Sequence, residues 1–295
     1  MTIAKKIVVL GANGQLGSDL IKVLQSNRHD QVIASTSEDL DAAAGDIPGQ
    51  LHQYVDADYI INCIATTNVD GCEDNPGLAF QINSAFVTQL AQFCHKNAIV
   101  LIHISTDYVF AGDKSSKYLE TDSINPLNVY GLSKAAGDLA VAIYSHKYFI
   151  LRVSSLFGIA GASGKGGNFI TTMQRLGREK DSWTVINDQW TCPTHTLDVA
   201  RAISALIEQN VTEYGTYNCV SSSSCSWFEF TQNILELSGL DQNKVKPISY
   251  TDYNFKAQRP QRVILGNDKL SQYYLMPDYL SALREFLLLQ QSVAR

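Results

Sequence analysis

The chain has 295 residues, enough to bury one large α/β core or two closely joined lobes. A hydrophobic content of 45% and a charged content of 18% are those of a globular protein and exclude a disordered chain. The formal net charge of −6 argues against a surface dedicated to nucleic acid or to anionic membranes, and still allows a local basic pocket for an anionic small molecule.

In chain order, Lys5 and Lys6 precede the apolar run Ile7–Leu10, which stops at Gly11. That run is too short for a signal-peptide core, and no later stretch reaches membrane-spanning length, so a soluble protein of the cytoplasm is expected. Its β-branched content predicts a strand buried on both faces of a parallel sheet. The glycines of GANGQLG (Gly11, Gly14, Gly17) follow, and Ser18–Gln25 has the period of an amphipathic helix. Strand, glycine turn and helix together predict a dinucleotide site. Small residues let the backbone approach a pyrophosphate, and the helix N-terminus offers unpaired N–H groups.

Gln31–Ala34 is expected to be a second strand. It runs into Ser35, Thr36 and Ser37 with no acid before Glu38, so a cofactor 2′-phosphate is not repelled there and Thr36 is a candidate contact for it. Tyr59–Ala65 predicts a third buried strand. Leu78–His95 has helical spacing, with Phe80, Ala85, Leu90 and Phe93 as expected core positions, and Ala98–Ser105 predicts the next strand. This alternation predicts an α/β protein with a Rossmann-type, doubly wound parallel sheet.

The stretch His103–Lys134 carries the chemistry. Tyr130 and Lys134 have i, i+4 spacing, so a helix presents both on one face. A phenol is too weak an acid for proton transfer at neutral pH, and a nearby ammonium lowers its pKa. Thr106, at the end of a predicted strand, adds a hydroxyl.

Lys147–Val153 predicts a further strand, after which GIAGASGKGGNF reads as a glycine-rich loop that shapes a pocket. Helices are expected at Asp198–Ile207, at Ser226–Leu237 with Ser224 or Ser226 as cap, and at Pro277–Leu289. Six cysteines lie outside any C-x-x-C pair, several in apolar runs, and predict buried free thiols. The expected division is a cofactor domain of residues 1–154, to which 190–220 return, and a smaller, discontinuous substrate lobe of 155–189 and 221–295.

GANGQLG, ISTDYVF, PLNVYGLSK, GGNF with the following TM, VINDQ, Pro193–Thr194 and Arg259–Pro260 occur in one order over almost the whole chain. In these the chain resembles the extended short-chain dehydrogenase/reductase superfamily, and within it the dTDP-4-dehydrorhamnose reductase family. The resemblance implies NAD(P)H-dependent reduction of a 4-keto sugar on a nucleoside diphosphate, within surface polysaccharide precursor synthesis. A dTDP-linked sugar is the implied substrate, NADPH is slightly preferred to NADH, and a homodimer is an open expectation. Thr106, Tyr130 and Lys134 match the family's catalytic triad, and Asp107 the place where substrate is held. Gly14, Gln15 and Leu16 match the pyrophosphate turn, Asp46–Ile47 the adenine contact, and Ala65, Thr66 and Thr67 the contact beyond the third strand. Arg259 and Arg262 are candidates for the substrate diphosphate, and Asn168 for a wall of the sugar pocket.

The chain departs from the family at Ser155, where a tryptophan usually lines the sugar pocket, and in the wording of NCIATTNVDGCE. Some relatives hold a divalent metal through carboxylates. Asp19 matches one of those positions, but Leu197 replaces another, so no metal is expected. Dehydratases of the superfamily carry a glutamate base where Tyr108 stands, which disfavours dehydration. An epimerase, and a non-catalytic NADP-binding subunit like that of methionine adenosyltransferase, remain as alternatives.

Overall fold

The structure is a computed structural model that describes residues 4–26, 29–161 and 167–293. The middle of the expected glycine-rich loop therefore lies outside the described residues.

β1 (Lys6–Leu10) leads through the glycine turn into α1 (Gln15–Ser26), and the chain returns as β2 (Gln31–Ser35). After the short α2 (Ile47–Leu51) comes β3 (Tyr59–Asn62), which ends three residues earlier than expected. Its last side chain, Asn62, turns its carboxamide onto the Ile64 N–H, and the backbone leaves the sheet there.

The region expected to be one helix is several. α3 (Val69–Asp74) and α4 (Pro76–Phe80) precede a π-helical turn at 81–85, and α5 (Phe86–Lys96) follows. A π turn inserts one residue into the helical repeat and rotates everything beyond it by about 100°. Ala85, an expected core position, is exposed for that reason, while Phe86 and Val87 are buried. Leu90 is buried as expected, and Phe80 and Phe93 are half-buried. The same turn carries the buried Asn83.

β4 (Val100–Thr106), α6 (Val129–Tyr144) and β5 (Tyr148–Val153) complete the first half. Short strands then alternate with helices: β6 (Leu156–Phe157), α7 (Phe169–Glu179), β7 (Trp183–Ile186), β8 (Trp190–Thr191), β9 (Thr194–His195) and α8 (Thr196–Glu208). β10 (Gly215–Asn218), β11 (Cys225–Ser226), α9 (Trp227–Leu237), β12 (Val245–Ile248) and α10 (Tyr279–Val293) follow. Ser226 rather than Ser224 caps α9, in a capping box with Glu229. The strands between 183 and 226 are two to four residues long, too short to stand out from periodicity alone, whereas α7 has a clear amphipathic period and is not among the expected helices.

One six-stranded parallel sheet, in the order β10-β5-β4-β3-β1-β2, organises the molecule. α1 and α8 cover one face, over Ile7, Val9, Ile61, Ile102 and Leu151. α2, α5 and α6 cover the other, over Val8, Leu10, Ile60, Leu101 and Ile150. The inner strands β1, β3, β4 and β5 are covered on both faces and largely apolar, as buried parallel strands are, whereas the edge strand β2 is partly exposed. α7, α9 and α10 enclose a separate small core around Phe157, Phe230 and Phe286. The chain leaves β1 for β2 on one side and then crosses to β3 on the other, which opens a crevice above the C-terminal ends of β1 and β3. The six cysteines are free thiols, five of them buried.

Candidate active site

The glycine turn lies at the mouth of that crevice. Gly11 has φ +75, and its N–H and that of Ala12 donate to the Ser35 carbonyl, which binds the turn to the end of β2. A side chain at Gly17 would collide with the Gly11 carbonyl oxygen and the Ala12 backbone, so only glycine lets α1 begin this close to β1. Leu16 packs into the core beneath. Gln15 donates to the Leu156 carbonyl at 3.1 Å and so closes the turn against β6. α1 starts with no acidic residue in its first turn. The open crevice, the tight turn and the unopposed helix N-terminus fit a dinucleotide pyrophosphate.

Thr106 ends β4, and α6 begins at Val129 behind an Asn128 cap whose carboxamide accepts from the Gly131 N–H. This capping sets the first turn of α6 over the end of β4 and brings Tyr130 to Thr106. The Thr106 hydroxyl is close enough to favour the ionised Tyr130 phenol, and both side chains are buried. Thr106 Oγ1 also donates to Asp107 Oδ1 at 3.1 Å, and Ser154 Oγ donates to Asp107 Oδ2 at 2.6 Å. Thr191 shares a hydroxyl contact with Ser154 at 2.8 Å and with Ser155 at 2.5 Å. A chain of hydroxyls and one carboxylate therefore runs from Thr106 to Ser155. Ser155 holds φ +43, a left-handed conformation uncommon for serine. Burial pushes the Asp107 carboxyl up to about 6, partly offset by its hydrogen bonds from Ser154 and Thr106.

Lys134 is buried one turn below Tyr130. Its Nζ donates to the Ile104 carbonyl at 2.7 Å and lies 3.3 Å from His103 Nε2. Burial lowers it to about 8, against the opposing pull of Asp138. The expected depression of the tyrosine is not seen: burial raises the Tyr130 phenol well above its ordinary value, and the Thr106 hydrogen bond only partly counters this. The ammonium is committed to the floor of the pocket, so its influence on the phenol is not the leading one.

Arg259 reaches the site through Tyr108. Its guanidinium donates to Asp70 Oδ2 at 2.8 Å, stacks over Phe255 at 4.3 Å, and lies near the phenol of Tyr108, whose ring is 5.5 Å from that of Tyr130. Arg262 instead lies over Trp190. The strap that carries Arg259 is fastened to α3 by Asp70 accepting the Ala257 N–H and by an ion pair of Lys256 with Asp74.

Other candidates have structural tasks. Asp46 is exposed and caps α2 by accepting the Gly49 N–H, and the Ile47 side chain is buried in the core. Asn168 caps α7 in a capping box with Thr171 and donates to the Gly158 carbonyl. Thr36 donates to Asp39 Oδ2 at 3.1 Å, and its N–H bonds the same oxygen. An acid therefore stands at the end of β2 one residue beyond Glu38, brought back by a turn that strand spacing did not reveal. Ala65, Thr66 and Thr67 follow β3. There Asn83 exchanges hydrogen bonds with the Thr66 N–H and carbonyl and donates to Ser133 of α6.

Asn62, Asn83, His103 and Asp138 were missed by sequence reasoning. Their signal is a polar residue inside an otherwise apolar period, as in YIINCIA and LIHIS. Asp19 accepts from Thr196 and from Lys22, and Leu197 offers no ligand. Among the described residues His195, Asp198 and Glu285 bring ligand atoms within 4.8 Å of one another, with Arg201 bridging the two carboxylates.

Comparison with known proteins agrees with this geometry. Residues 5–291 match the family model described as the RmlD substrate binding domain. A dTDP-4-dehydrorhamnose reductase of Aggregatibacter actinomycetemcomitans is 34% identical over 282 residues, covering 91% of this chain and 93% of that protein. A crystal structure of a dTDP-4-dehydrorhamnose reductase from Clostridium acetobutylicum superposes with a TM-score of 0.89 at 34% identity, over 97% of this chain and 99% of that one. Its counterpart from Bacillus anthracis, solved in complex with NADP, gives 0.88 at 34% identity and the same coverage.

Proposed function

The chain belongs to the dTDP-4-dehydrorhamnose reductase family, and from that premise we propose that it reduces the 4-keto group of a nucleoside-diphosphate 6-deoxy sugar, taking dTDP-4-dehydrorhamnose to dTDP-L-rhamnose. NADPH or NADH supplies the hydride when bound. The observation that carries this reading is the convergence of Thr106, Tyr130 and Lys134 above the ends of β4 and β3, beside the glycine turn.

Tyr130 protonates the alkoxide that forms on the sugar, and Thr106 orients the carbonyl oxygen by a hydrogen bond that strengthens as charge develops. Lys134 holds the nicotinamide ribose from the floor of the pocket. The glycine turn and the start of α1 take the pyrophosphate, and Ala65, Thr66 and Thr67 line the crevice next to it. Arg259, already desolvated and held by Asp70, takes the substrate diphosphate. Residues 1–154 with 190–220 form the cofactor domain, and 155–189 with 221–295 form the substrate lobe.

The Ser155–Thr191 contact favours a second reading of the substrate alone. With hydroxyls where an indole is usual, the pocket wall is polar, and a sugar with a different pattern of hydroxyls is the alternative substrate. A homodimer along the outer face of α6, where Leu132, Leu139 and Ile143 are exposed, accompanies the proposal. No helix among the described residues is long and apolar enough to cross a membrane, and we place the enzyme in the cytoplasm. The test is oxidation of NADPH and of NADH, side by side, with dTDP-4-keto-6-deoxy-L-mannose, the product identified by NMR. No oxidation with any 4-keto sugar nucleotide, together with co-purification with a catalytic partner, would establish a regulatory subunit instead.

A further inference from the structure

Beneath Lys134 the sheet holds two polar side chains in adjacent strands. Asn62 of β3 and His103 of β4 are register partners, both fully buried on the face that α6 covers. Asn62 Oδ1 accepts from the Ile64 N–H at 3.1 Å. A main-chain N–H can only donate, so that contact fixes which way the carboxamide points. Its amide nitrogen therefore faces His103 Nδ1, at 3.1 Å, and Nδ1 must be the acceptor. A protonated Nδ1 would set donor against donor, which excludes both the other tautomer and the imidazolium. The ring proton sits on Nε2.

Nε2–H has two neighbours, Lys134 Nζ at 3.3 Å and Asp138 Oδ1 at 3.7 Å. Among the described residues Asp138 Oδ1 is a buried acceptor with no hydrogen-bond partner, while Oδ2 accepts from Ser105 at 2.6 Å. An ammonium cannot accept from Nε2–H, but a neutral amine can. The other ionisable groups that face this pair are Cys63 beyond β3, Tyr130 above on α6, and Arg152 of β5, whose Nε lies 4.0 Å from Asp138.

We propose that Asn62 and His103 are positioning residues for Lys134. With its proton fixed on Nε2, His103 donates to the lysine when the amine is neutral, and its ring proton has the Asp138 carboxylate, 3.7 Å away, as the nearest acceptor when the lysine is charged. Each charge state of Lys134 then has its own counterpart in a dry pocket: the His103 ring proton for the neutral amine, and the Ile104 carbonyl with the nearby Asp138 carboxylate for the ammonium. The lysine can accordingly give up and regain a proton during turnover instead of serving as a fixed charge. Its pKa, pushed down to about 8 mainly by burial, agrees with that arrangement. The inference rests on the reading of Lys134 as part of the catalytic machinery.

Two measurements test it. In long-range proton–nitrogen NMR spectra of the ¹⁵N-histidine-labelled protein, His103 should show the Nε2–H tautomer from pH 6 to 9. The Nδ1–H tautomer or an imidazolium would overturn the proposal whatever the enzyme does. In Asn62→Asp the carboxylate accepts from Nδ1–H, the ring proton moves to Nδ1, and Nε2 accepts from the ammonium. The alkaline limb of kcat/KM should then move up by about one pH unit, with NADPH affinity and melting temperature retained. An unmoved limb overturns the proposal, as does a shift that persists undiminished with His103→Leu added, because charge alone would then explain it. If Lys134→Ala retains turnover, the catalytic reading itself has failed. If Lys134→Ala is inactive and the limb in Asn62→Asp does not move, only the role of Asn62 and His103 has failed.

Discussion

Ser154 Oγ lies 2.6 Å from Asp107 Oδ2, and this contact joins the end of β5 to the residue that follows Thr106, the threonine proposed to be catalytic. The serine stabilises the charged form of a carboxyl that burial pushes towards the neutral one. Ser154→Ala should therefore raise the Asp107 pKa above about 6, and the acid limb of kcat/KM should move to higher pH. The same shift has a sign in stability. The folded pKa exceeds the unfolded value of about 3.9, so the folded state binds the proton more tightly. Stability from this group is complete below about pH 4 and is lost as pH rises through about 6. Asp107→Asn should consequently gain on the wild type between pH 5 and pH 7.5, by an amount on the order of 2 kcal/mol in urea melts.

Tyr130→Phe removes the proton donor and almost no volume. Turnover should fall about 100-fold or more, while NADPH binding followed by fluorescence stays within about twofold. Wild-type reduction by this variant would disprove the role of the phenol.

Arg259→Lys keeps the charge but loses the planar fork that now spans Asp70, Phe255 and Tyr108. KM for the sugar nucleotide should rise about tenfold with a smaller change in kcat, and the difference should narrow as salt increases. An unchanged KM would place the diphosphate elsewhere.

Asp39→Asn releases the Thr36 hydroxyl and removes the carboxylate at the end of β2. The ratio of kcat/KM for NADPH to that for NADH should rise several-fold, because repulsion of a 2′-phosphate is relieved. If the ratio is unmoved, the 2′ position of the cofactor lies away from this turn.

The parallel sheet was legible because its inner strands are largely apolar, and the proposed catalytic pair because i, i+4 spacing on α6 survives any small error in where the helix starts. The exposed Ala85 was not legible, since a π turn leaves the sequence period looking continuous while it rotates the helix. Asp39 was hidden because a turn folds it back onto Thr36. Asn168 and Asp46 were read towards the ligand, and their side chains have a second task, capping α7 and α2, that the sequence reading did not assign. The expected effect of Lys134 on Tyr130 failed for a further reason: burial, which sequence spacing does not report, dominates both groups.

The position of β10 has a consequence for synthesis. It pairs with β5 at the edge of the sheet, in register from Gly215 with Phe149 to Asn218 with Arg152. While the protein is being made, β5 can emerge and dock on β4 but presents a bare edge until the ribosome has passed Asn218. At about 5–20 residues per second that interval lasts several seconds. An apolar edge open for so long invites pairing with a neighbouring nascent chain. A chaperone acting in that window, more than any change to the finished core, should decide how much soluble enzyme a cell recovers.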